Sequence, residues 1–164
     1  MKRAQIDAFC GCRETLYQRI VFFAAPAILL AGIVYVAVRY AQLPAEIPSH
    51  YNFYGEIDGY GSRGTLWITP VIGILCDALM LAVSFFPQIW NVGTSVTVFN
   101  RALVYRRVRD LIADILLSTA VMFTAIAVCQ TALAPTFPWG MGVLIGVCCT
   151  APLVRFFVRL AMKK

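Results

Sequence analysis

Four polar side chains, His50, Asn52, Glu56 and Asp58, fall within nine residues of one another, interleaved with Tyr51, Phe53, Tyr54 and, just beyond, Tyr60. An imidazole beside two carboxylates is a donor set that zinc or calcium can use, but the spacing follows no EF-hand loop. His50 is the chain's one histidine, and no serine or cysteine is placed with it and an acid as nucleophilic catalysis would require. No catalytic residues, no metal ligands and no cofactor are therefore expected, and the chain is not read as an enzyme. The same side chains serve two other purposes. Short polar groups satisfy backbone N–H and C=O in turns, and on an ordered loop His50, Asn52, Gly55, Asp58 and Arg63 could face a ligand or partner.

Asp77 is the second group with chemical potential. It interrupts an apolar run from about Leu66 to Trp90, and a carboxylate in mid-bilayer costs about 2.5–3.5 kcal/mol on insertion scales. It is expected to face other helices, with Thr119, Thr124 or Thr150 as partner, either handling protons or ions or holding helices together. Asp114 and Arg155 bound a stretch of 40 uncharged residues, and their placement at the same helix ends suggests a structural ion pair. The six cysteines lie mostly in apolar runs and read as small packing residues. Cys10-Gly-Cys12 lacks the companions of a zinc site.

The elements that must position these groups follow from composition. The 164 residues are 60% hydrophobic and 13% charged, with mean hydropathy +0.77, whereas soluble domains carry about a quarter charged residues. Ile20 to Val38 gives 19 uncharged residues between Arg19 and Arg39, close to the length that crosses a ~30 Å hydrocarbon core. The 40-residue stretch is too long for one crossing, and Pro135, Pro138, Gly140 and Gly142 supply breakers for a tight turn near 134–139. The reading is an all-α, four-helix transmembrane bundle with spans at 20–39, 66–88, 111–134 and 138–158. The intervening segments are an N-terminal segment 1–19, an ordered loop 40–65, a basic loop 89–110 and a tail 159–164.

Sorting the basic residues orients it. Lys2, Arg3, Arg13, Arg19, Arg101, Arg106, Arg107, Arg109, Arg155, Arg159, Lys163 and Lys164 fall on one side of four crossings, and only Arg39 and Arg63 on the other. The positive-inside rule then makes both termini and the basic loop cytoplasmic in a cell membrane and the 40–65 loop extracytoplasmic. The same placement assigns the net charge of +6 to the lipid bilayer rather than to nucleic acid. Val98, Phe99, Leu103 and Val104 around Arg101 and Arg106 suggest an interfacial helix on anionic lipid, and residues 4–18 a second segment along the surface.

In the 40–65 loop, Pro44 and Pro48 hold the chain extended and Asp58-Gly59 is a turn signal. Leu43, Pro44, Ile47, Pro48, His50, Tyr51, Asn52, Gly55, Asp58, Gly59, Gly61 and Ser62 form a pattern that, between a first and a second helix, resembles the domain of unknown function at the N-terminus of SdpI-type proteins. The likeness covers about 50 residues. Arg63 stands where that family usually has lysine, and the second, C-terminal signature of full members is not found here. That group includes a bacterial immunity protein that protects its producer against a secreted toxin peptide and takes part in signalling. The resemblance implies a small bacterial membrane protein whose outer loop meets a peptide toxin or a membrane-protein partner. The alternative is a small transporter or channel component using Asp77.

Overall fold

The computed structural model describes residues 2–92 and 95–162, so Lys163 and Lys164 of the basic tail lie outside the described residues. The chain is mostly helical, with helices α1 (Arg3–Cys10), α2 (Leu16–Tyr40), α3 (Ile68–Ser84), α4 (Arg101–Thr131) and α5 (Trp139–Ala161). A two-stranded antiparallel hairpin, β1 (Glu46–Tyr51) and β2 (Ile57–Ser62), joins α2 to α3. Four helices are long and apolar enough to cross a membrane: α2, α4, α5, and α3 together with the 3-10 turn that leads into it. They give the chain the form of a multi-pass membrane protein.

Local chemistry sets the helix boundaries. Thr15 caps α2, its hydroxyl accepting from the Gln18 N–H while the Gln18 side chain accepts from the Thr15 N–H, a reciprocal pairing that satisfies two otherwise orphaned donors. α2 therefore starts four residues before the expected span. α3 stops at Ser84, short of the expected 88, and Pro87 opens a separate 3-10 turn (Pro87–Ile89). The largest difference concerns α4. Its 31 residues extend about 46 Å, against a hydrocarbon core of about 30 Å. Residues 101–110, expected as part of a basic loop, form the first turns of this helix and run on into the third span without a break. No glycine or proline interrupts the chain from Arg101 to Thr131, so nothing ends the helix where the charges end. The all-α expectation also omitted the hairpin, whose prolines and glycines obscure a strand pattern.

α4 is the central helix and packs against α2, α3 and α5. Val21, Ala25 and Leu29 of α2 meet Ala113, Leu116 and Ala120 of α4 in the main apolar cluster. Small residues let the axes approach: a Cβ at Gly73 would lie 2.9 Å from Cβ of Phe123 and 3.1 Å from Cδ2 of Leu29. A second cluster, Val36, Leu43, Ile47, Leu66 and Ala127, fastens the hairpin base to the helix ends. At the opposite, basic end, Ile6, Cys10 and Cys12 pack with Trp90 and Tyr105 and seat α1 on the bundle. α5 buries only Pro152. Its exposed Val143, Val147, Val154 and Phe157 form the kind of surface that faces lipid in a membrane.

Candidate functional site

The hairpin is built around its tip. The Asn52 side-chain oxygen accepts from the Tyr54 N–H at 2.9 Å and the Glu56 N–H at 3.0 Å, and its amide donates to the Glu56 carboxylate at 3.0 Å. Gly55 takes a φ of +81°, a conformation that side chains other than glycine resist. Across the strands, His50 Nδ1 lies 2.6 Å from Asp58 Oδ1, both side chains open to solvent. At the base, the Arg63 guanidinium donates to the Leu43 carbonyl at 3.2 Å and sits 4.9 Å above the Tyr40 ring. Asn52, Gly55 and Arg63 thus shape and anchor the loop. Of the five loop residues singled out in the sequence, His50 and Asp58 present polar surface.

A second anchor was not foreseen. The Tyr51 hydroxyl donates to the Ala134 carbonyl at 3.0 Å, its ring lies 5.6 Å from that of Phe137, and the Phe137 N–H donates to the Gly55 carbonyl at 2.7 Å. Glu56 and Thr136 also form an isolated bridge. The hairpin thereby lies against the α4–α5 connection, and burial there pushes the Tyr51 phenol pKa up. With both ends held, three aromatic side chains face solvent: Phe53 is 99% exposed, Tyr54 86% and Tyr60 66%, the first two edge to face at 5.9 Å.

Within the bundle, Asp77 is 3% exposed. Thr119 Oγ1 donates to Asp77 Oδ1 at 2.5 Å, whereas the Thr124 and Thr150 hydroxyls bond the Ile28 and Gly146 carbonyls of the helices. Asp77 Oδ2 is buried with no hydrogen-bond partner among the described residues.

At the basic end, Arg155 pairs with Asp114, which also accepts from the Tyr17 hydroxyl. One turn away the arrangement repeats. Asp110 accepts from Gln18 at 2.8 Å and from Arg159 at 2.5 Å. Two rungs, four residues apart on α4 and on α5, clamp three helices together. The Asp110/Asp114 and Arg155/Arg159 spacings were visible signals, but Tyr17 and Gln18 carried none. Arg109 is likewise buried, donating to Asp7 at 2.8 Å and to the Cys12 carbonyl at 3.2 Å.

Comparison with known proteins matches this architecture at its hairpin. Residues 27–74, from mid-α2 through the hairpin into α3, match a family described as a domain of unknown function (DUF1648). A protein of Archaeoglobus fulgidus described as uncharacterized is similar to this chain, 25% identical over 145 residues and covering 79% of each. No solved structure matches the chain.

Proposed function

We propose that this small membrane protein is a binding protein, not an enzyme, whose hairpin stands outside the cell membrane and recognises a peptide or a membrane-protein partner. The role would be of the immunity or signalling kind suggested by the resemblance to SdpI-type proteins. The observation that carries this reading is the exposure of Phe53, Tyr54 and Tyr60 on a loop anchored at both its base and its tip. Aromatic side chains dominate binding hot spots, and a preorganised loop loses little entropy on binding. Orientation rests on the basic residues gathered at the other end.

The test places a photo-crosslinking residue at Phe53 or Tyr54 in living cells and labels it from outside. A discrete adduct, lost when Asn52→Ala loosens the loop, is expected. Adducts no different from those formed at the lipid-facing Val147 would refute the reading, as would a hairpin protected from an impermeant reagent.

A second reading, transport or channel activity through Asp77, is favoured by its second carboxylate oxygen, buried without a partner among the described residues, because intramembrane carboxyls often line ion or proton routes. It requires proton- or ion-linked flux in proteoliposomes that Asp77→Asn abolishes.

A further inference from the structure

Where the basic ends of α2 and α3 meet α1, a cavity of about 110 Å³ opens. Its apolar wall is Phe22, Phe23, Leu81, Phe85, Trp90 and Ile112, and its rim carries Arg3, Asp7 and Glu14. Phe23 and Phe85 are exposed, so the apolar wall continues onto the flank of the bundle that lipid would cover.

The hydrogen bonding decides what could fill it. Gln18 is bonded at both ends, to Thr15 and Asp110. The Ser84 hydroxyl donates to the Leu81 carbonyl, the Trp90 indole N–H to the Val83 carbonyl, and Arg109 to Asp7 and Cys12. These wall groups are already satisfied within the protein. Water held in a cavity needs two to four polar partners each, and the bonded groups of this wall offer few. A short run of methylenes fits it better, with the rest of a chain lying along Phe23 and Phe85.

The complementary charge comes from Arg3 on the rim and from Arg19, which does not line the cavity but reaches the rim carboxylate of Glu14. Arg3 and Arg19 share the one carboxylate of Glu14, at 3.3 and 3.7 Å, and both guanidinium side chains are more than half exposed. Two cations on one anion leave positive charge and free donors facing outward, at the helix ends where headgroups lie. Guanidinium donors in this setting favour a phosphate-bearing group.

We infer that this cavity is a binding site for a single anionic phospholipid, its acyl chain between α2 and α3 and its headgroup on Arg3 and Arg19. A free phosphate ion would share the headgroup chemistry but leave the apolar wall unused.

Trp90 provides the probe. In a Trp67→Phe/Trp139→Phe background of the full chain, it is the single tryptophan. Reconstituted in vesicles, its fluorescence is titrated with phosphatidylglycerol carrying a brominated acyl chain, and separately with phosphatidylcholine carrying the same chain. Saturable quenching is expected at several-fold lower mole fraction of the anionic lipid. Arg3→Gln/Arg19→Gln, at exposed positions, should abolish the preference, and Ser84→Phe, which fills the cavity, should weaken quenching by both lipids. Equal quenching by the two lipids in the unmodified rim would mean ordinary lipid contact and overturn the inference. So would a preference that survives the double arginine substitution. Inorganic phosphate binding at the rim with no quenching by either lipid would assign the arginines to a free anion and also overturn it.

Discussion

The rungs at the basic end make an asymmetric demand on stability. Asp114 has 9% of its side chain exposed and Arg155 38%. Removing one member of a fully buried pair costs about 3–5 kcal/mol, whereas exposed pairs contribute about 0–1 kcal/mol. This pair lies between those limits, and its two halves differ. Arg155→Met strands a carboxylate that water can barely reach, with, among the described residues, only the Tyr17 hydroxyl left to it, and also removes the guanidinium 5.0 Å from the Tyr17 ring. That substitution should destabilise the bundle by about 3 kcal/mol, over a hundredfold in the folded ratio. Asp114→Asn keeps an acceptor for Tyr17 and leaves an arginine that can turn to water. It should cost about 1–2 kcal/mol. The double variant should cost less than the sum of the two, because the stranded charge is gone. Steric-trap unfolding in bicelles measures all four states of this cycle. An Asp114→Asn effect larger than that of Arg155→Met, or a pair as silent as the exposed Arg106→Met, would refute the assigned burial and pairing.

Two further outcomes follow from packing and from the hairpin anchor. Gly73→Ala should destabilise by about 1–3 kcal/mol, because its methyl would enter Phe123 and Leu29. Gly146→Ala, with open space around the new Cβ, should be neutral or stabilising in the same unfolding assay. The Tyr51 phenol is held above its ordinary pKa by burial, so the folded state keeps its proton longer than the unfolded chain. Its share of hairpin anchoring should be complete below about pH 10 and be lost as pH rises through the folded value. Hydrogen exchange of the Phe137 amide, which donates to Gly55, should accelerate at high pH beyond the intrinsic rate. Tyr51→Phe should remove that excess.

Much of the site's framework could be read before any coordinates. Asn52 and Gly55 announced a shaped turn, and the turn is there because their side chain and backbone freedom act within a few residues; Asp58-Gly59, read as a turn signal, instead lies within β2, where Gly59 pairs with His50 because cross-strand pairing overrides the local turn preference. The β1–β2 pairing was harder to see, since Pro48 and the glycines at 59 and 61 break the alternation that marks a strand, and the register shifts at His50. The anchoring of Tyr51 and Gly55 on Ala134 and Phe137 was invisible, as it joins positions about 80 residues apart. Three threonines were equally eligible for Asp77, and the helical rotation of α4 against α3 selected Thr119.

The division has a simple physical origin. Span length, hydropathy, turn chemistry and the gathering of cations are sums over neighbouring residues, so the amino-acid order alone determined four apolar helices, a structured connection after the first, and one strongly basic end. The three-helix clamp on Asp110 and Asp114, the choice of Thr119, the docked hairpin and the apolar cavity beneath Arg3 depend on how helices rotate and slide against one another. Those settings come from side chains meeting across the bundle, and only the folded arrangement decided them.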